Sequence, residues 1–150
     1  MASKTLAACS GVLLALLITV SAGAAEFRSV GDNPAVLYDA PSEKANKLYA
    51  IGPGYPLEIV VALEHWSKVR DADGGLSWIE NQNLGGKRTL MVNVPLAEIK
   101  ASPDDGAPIV FKAEQGVLLD LLELTATGWV RVAHRDGQSG YIKADQVWGL

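Results

Sequence analysis

The sequence predicts an all-β protein: two small β-barrels in tandem behind a removable leader. Three observations carry that reading. The chain repeats itself at a nearly constant offset, the repeated stretches alternate with the period of strands, and no segment keeps helical periodicity over three or more turns.

The leader comes first. Lys4 is the only charge in residues 1–25, an apolar run from Gly11 to Val20 follows it, and small residues Ser21 to Ala25 close the segment. That order marks an export signal, with cleavage expected after Ala24 or Ala25. The apolar run is shorter than the ~20 residues that span a bilayer, so a removed signal is favoured over a retained anchor. Leu6-Ala7-Ala8-Cys9 imitates a lipid-attachment box, but the apolar region lies after Cys9 instead of before it. Cys9 is the only cysteine. The exported part therefore has neither disulfide nor thiol nucleophile, and the expected location is the periplasm.

Removing the leader takes away Lys4 and no acid, which leaves 12 basic residues against 17 acidic ones. A mildly acidic surface of mixed sign argues against nucleic acid or anionic lipid as the main partner, since both need a dense basic footprint. Nothing after the leader is apolar enough to span a membrane as a helix.

The repeat defines the two units, 26–86 and 87–150. At an offset of 62, Ala35 to Pro41 falls on Ala97 to Pro103, Gly54 on Gly116, and Leu57-Glu58-Ile59 on Leu119-Asp120-Leu121. One inserted residue near Thr127 moves the offset to 63. Trp66 then meets Trp129, Val69 meets Val132, Asp73-Gly74 meets Asp136-Gly137, and Trp78-Ile79 meets Tyr141-Ile142. Leu84 to Lys87 is the expected connector.

Each unit is written in strands. Leu57, Ile59, Val61 and Leu63 alternate with Glu58, Val60, Ala62 and Glu64, which predicts one half-buried strand. Trp66–Arg70 and Leu76–Glu80 flank an Asp-Gly hairpin signal, repeated around Asp136-Gly137. Gly52-Pro53-Gly54 reads as a turn, and Pro41 and Pro103 open polar loops. About five short strands in ~60 residues bury little unless the sheet closes on itself, which favours a barrel.

The pattern Trp66-x-x-Val69, Asp73-Gly74, Ser77-Trp78-Ile79, repeated as Trp129-x-x-Val132, Asp136-Gly137, Gly140-Tyr141-Ile142, resembles bacterial SH3-like (SH3b) domains. The tandem arrangement, with its Gly85-Gly86 connector and terminal Trp148-Gly149-Leu150, is similar to a family of exported proteobacterial proteins. The resemblance implies two SH3-like barrels, a cell-envelope location, no catalysis inside the barrels, and recognition of cell-wall (peptidoglycan) peptide or glycan. The alternative it leaves open is a protein–protein adaptor in the envelope. Two departures stand out. The Arg-x-Gly-Pro signature often found in the first strand is replaced by Tyr38-Asp39-Ala40-Pro41 and Lys100-Ala101-Ser102-Pro103, and Ser77 stands where the second unit has Gly140.

The residues themselves offer little chemistry. His65 and His134 are not at equivalent repeat positions, and no Ser sits in a nucleophile elbow. Zinc spacings are missing, and Asp71-Ala72-Asp73-Gly74 lacks the rest of a calcium loop, so it reads as a turn. We therefore expect no enzyme, no metal and no cofactor. Aromatic residues are the candidates for binding, since Tyr and Trp suit sites where one edge stays wet. The sequence points to Tyr38, Tyr55 and Trp78 as a groove for an extended ligand, with Asp39 and Asp73 biasing it toward a cationic or amine-bearing one. Trp66 is expected in the core of the first unit.

Overall fold

The computed structural model describes residues 24–150. The leader reading, Cys9 included, concerns residues outside that range apart from Ala24 and Ala25. Among the described residues no helix is long and apolar enough to cross a membrane.

The first unit is a seven-stranded antiparallel sheet. Its strands are β1 (Glu26–Val30), β2 (Ala35–Tyr38), β3 (Lys47–Ile51), β4 (Pro56–Ala62), β5 (Trp66–Arg70), β6 (Leu76–Glu80) and β7 (Leu84–Gly85), in the order β3-β2-β6-β5-β4-β1-β7. The second sheet contains β8 (Thr89–Val92), β9 (Leu96–Lys100), β10 (Ile109–Glu114), β11 (Leu118–Leu124), β12 (Trp129–Ala133), β13 (Ser139–Lys143) and β14 (Val147–Trp148), in the order β10-β9-β13-β12-β11-β8-β14. The two orders are the same topology written twice. Each sheet has its own core. Val30, Leu37, Ile51, Leu57, Val69, Ile79 and Leu84 form one cluster with a contribution from every strand, which requires the sheet to wrap around a single interior. Leu90, Ile99, Leu119, Val132, Ile142 and Val147 are among those that do the same in the second unit.

The repeat extends to irregularities. A bulge breaks the β4–β5 register between Ile59 and Val61, and its counterpart breaks β11–β12 between Leu121 and Glu123. This corrects the expected alternation along β4. The extra residue shifts the parity of the strand, so Val61 is exposed like Val60 instead of following Leu57 inward. The inserted residue of the second unit lies in the β11–β12 hairpin. There Gly128 has φ +78, and the Thr125 hydroxyl donates to the Trp129 carbonyl at 2.5 Å. Leu84-Gly85 is not connector but strand, paired with Val30 and Ser29, so residues 86–88 alone join the sheets.

The two units touch through a buried hydroxyl pair and an aromatic contact. Ser29 and Thr89, both buried, share a hydroxyl–hydroxyl bond of 2.7 Å, and the Thr89 N–H donates to Ser29 Oγ at 3.0 Å. The Thr89 hydroxyl also donates to the Gly54 carbonyl. Trp148 packs edge-on against Phe27 at 5.0 Å, and its indole N–H donates to the Pro56 carbonyl at 3.2 Å.

Candidate functional site

Strand parity builds the first surface. Along β5, Ser67 and Val69 are buried, which turns Trp66, Lys68 and Arg70 to the outer face. Along β6, Ser77 and Ile79 point inward and Trp78 and Glu80 outward. Register then sets Trp78 between Tyr38 on β2 and Lys68 on β5. The Tyr38 and Trp66 rings meet edge to face at 5.3 Å and 86°, the arrangement the ring quadrupoles favour. Tyr38, Trp66 and Trp78 thus form one aromatic surface outside the barrel.

Two expectations change here. Trp66 is not in the core: it is half-buried on the outer face, because its inward neighbours on β5 are Ser67 and Val69. Tyr38 is only 7 % exposed, being covered by Trp66, so most of the ring area open to solvent belongs to the two tryptophans.

Tyr55 and Asp73 belong to a second locus, at the turn between β5 and β6. Asp71, 8 % exposed, organises it. Its Oδ1 accepts the backbone N–H groups of Asp73 at 3.0 Å and Gly75 at 2.7 Å, and its Oδ2 accepts the Tyr49 hydroxyl at 2.5 Å. Gly75 is needed for this approach, since a Cβ there would lie 2.6 Å from Asp71 Oδ2. Tyr55 packs against the core, and its hydroxyl accepts the Ala72 N–H at 3.3 Å. Burial, reinforced by the hydrogen bond to Asp71, pushes the Tyr49 phenol up to about 12. Burial also raises Tyr55, with the Asp71 and Asp73 charges adding to it and the Ala72 N–H opposing. Asp39 joins neither locus: its carboxylate accepts the Asn46 backbone N–H at 3.0 Å and side-chain amide at 2.7 Å, clamping the β2–β3 loop.

The five residues singled out from sequence therefore separate into Tyr38 with Trp78, Tyr55 with Asp73, and Asp39 alone. Sequence reasoning missed Trp66 as a surface residue, although charged Lys68 and Arg70 at the next two positions of like parity signal an outward face. It also missed the Tyr49–Asp71 pair, which joins residues 22 apart.

The second barrel presents a different surface at the matching positions. Lys100 replaces Tyr38 and pairs with Tyr141, and Lys143 replaces Glu80 and lies 5.6 Å from the Trp129 ring centroid. Glu98 binds Lys100 at 2.9 Å and Lys112 at 3.6 Å, and Asp105 binds Lys143 at 2.6 Å. Glu98, Lys100, Asp105, Trp129 and Lys143 border a depression of 330 Å³. Phe111 against His134, at 6.0 Å, stands where the first barrel has Tyr49 and Asp71. Among the described residues no three His, Cys, Asp or Glu side chains are grouped to hold a metal ion.

Three solved structures show a distant similarity to this chain. NlpC2 from Trichomonas vaginalis is 18% identical with a TM-score of 0.39, over 83% of this chain and 48% of its own. NlpC1 from the same organism is 19% identical with a TM-score of 0.39, over 91% and 50%. An NlpC/P60 family protein from Bacillus cereus is 15% identical with a TM-score of 0.38, over 82% and 56%. The chain spans about half the length of these structures. No curated protein matches it. The sequence pattern of the bacterial SH3 domain does match, twice, over residues 31–86 and 94–149. With two copies that cover most of its length, this chain belongs to the bacterial SH3 domain family.

Proposed function

We propose that the chain is a non-catalytic binding module of the cell envelope, exported to the periplasm, whose first barrel takes cell-wall peptide or glycan on its outer aromatic surface. The observation that carries this reading is the Tyr38–Trp66–Trp78 surface. Two half-buried tryptophans are held by sheet register and by an edge-to-face contact on the side away from the core. Rings fixed in this way bind at low entropic cost, and aromatic grooves of this kind receive extended peptides in SH3-type domains. Membership of the bacterial SH3 family supports a module without chemistry of its own. Asp73, at the separate β5–β6 turn with Tyr55, adds negative charge suited to an amine-bearing ligand.

Binding to purified sacculi, measured at low and high salt, tests the reading. Retention by aromatic contact should survive salt, whereas adsorption through charge should fade. Trp78→Ala should reduce binding while the fold, followed by circular dichroism, is kept. Undiminished retention of that variant would remove the aromatic surface as the site and favour an adaptor that uses another face to hold an envelope protein.

A further inference from the structure

Between the barrels lies a cleft of 650 Å³, within the ~300–1,000 Å³ usual for small-ligand sites and at the kind of boundary where they occur. It is distinct from the aromatic surface and independent of that reading. Its walls come from both units: Val30, Pro53 and Gly54 on one side, Val117 and Leu118 on the other, with the 86–88 connector beside them. Gly54 and Gly116, the same turn in each repeat, have φ +76 and +86. The end of β1 and β7 approach so closely that a Cβ on Gly85 would lie 3.1 Å from Gly31 Cα. The lining is therefore largely bare backbone and aliphatic side chains.

Four charged side chains edge this cleft besides His134. Lys87 and Asp120 neutralise each other at 2.8 Å. Asp32 from the first barrel and Arg135 from the second are exposed and take part in no ion pair among the described residues. An aliphatic floor with one free carboxylate and one free guanidinium, from opposite barrels, matches a ligand with an apolar middle, an ammonium and a carboxylate. We infer that the inter-barrel cleft binds a short peptide with free termini, Asp32 receiving its ammonium and Arg135 its carboxylate. Arg can grip the carboxylate with two parallel N–H donors.

The test follows backbone amide resonances of the ¹⁵N-labelled chain during titration with Ala-Leu-Ala, its N-acetyl form and its C-terminal amide. Saturable shifts at Gly31, Gly86, Val117 and Arg135 are expected with the free tripeptide, and blocking either end should weaken binding roughly three- to tenfold. Asp32→Asn should abolish the preference for a free amine and leave the preference for a free carboxylate, and Arg135→Gln should do the reverse. Gly86→Trp, at a position whose Cβ would meet nothing within 4 Å, should fill the cleft and abolish the shifts without lowering the melting temperature. Shifts confined to Trp66, Trp78 and their neighbours would overturn the cleft and leave the aromatic surface standing. Absence of saturable shifts, or equal binding of the free and blocked peptides by the parent, would overturn it outright.

Discussion

The two barrels share strand order and the position of the inward side chains, yet they present different chemistry on the same outer face. A bulge between β4 and β5 is matched in β11 and β12, and a register shift between β2 and β3 is matched in β9 and β10. In the first barrel that face is aromatic, with Tyr38 under Trp66 and Trp78 alongside. In the second, Trp129 and Tyr141 keep the places of Trp66 and Trp78, but Lys100 replaces Tyr38 and Lys143 replaces Glu80, tied to Glu98 and Asp105. Interior positions tolerate few changes because both interiors are close-packed. Outer positions of a strand can change without disturbing the register, so a duplicated fold can carry two surfaces. A ligand on the second barrel would have to displace ion pairs, whereas on the first it meets apolar rings.

The largest effect expected concerns the separateness of the cores, which share no member. Leu57→Ala and Leu119→Ala each truncate a side chain that is at most 1 % exposed, and each should cost ~2–5 kcal/mol. Calorimetry should show the transition of the altered barrel falling sharply and that of the other moving little. Fragments 26–86 and 87–150 should likewise each melt cooperatively. A single transition displaced equally by either substitution would mean that the barrels form one cooperative unit, and the comparison would have to be redrawn.

Next in size is binding. Trp78→Ala should cost ~1–3 kcal/mol of ligand affinity, measured by sacculus retention, while Tyr141→Ala at the matching position changes it little. Equal losses would show that both outer faces bind, despite their different charge.

A smaller effect is expected at the contact between the barrels. Thr89→Val removes the hydroxyl that meets both Ser29 and the Gly54 carbonyl, at ~0.5–1.5 kcal/mol, while Ser29 Oγ keeps the Thr89 N–H. Hydrogen exchange at Ser29, Gly54 and Thr89 should accelerate relative to the two cores. Unchanged protection would mean that the Trp148–Phe27 contact holds the units together without this pair.

The smallest effect separates the barrels by pH. Tyr49 keeps its proton to about 12 in the folded state against 10.0 for the free phenol. Below pH 10 both states hold the proton. Between 10 and 12 the native state alone holds it, so its contribution to stability is complete below 10 and is lost as pH rises toward 12. The first barrel should therefore weaken over that window in a Tyr49-dependent way, and Tyr49→Phe should remove that part of the loss. Phe111, the counterpart packed on His134, has no phenol to titrate. Absorbance of ionised tyrosine against pH checks the late titration directly.

Much of the architecture was legible beforehand because it depends on local pattern. Alternation marked Trp66–Arg70 and Leu76–Glu80 as strands, the Asp-Gly pairs marked their turns, and Gly74 and Gly137 adopt φ +89 and +95 there. The placement of the candidate residues was legible only in part. The sequence pattern sets Tyr38 and Trp78 on one face, and they are paired across β2 and β6. Tyr55, assigned to the same groove, lies instead with Asp71 and Asp73, since it packs against the inner core while Trp78 faces outward. The residue type of Asp39 suggests a rim charge, but Asn46, seven residues on, takes up both its oxygens.

The sequence by itself determined that the chain repeats, that each repeat is a set of short strands, and where the hairpins fall, because side-chain parity and turn chemistry act over a few residues. Only the tertiary structure decided which aromatic rings meet, that a bulge turns Val61 out of the interior, and that Ser29, Gly54 and Thr89 join the barrels beside a cleft. Those outcomes depend on register between strands far apart in the chain, and a one-residue slip in register exchanges the inner and outer faces of a strand.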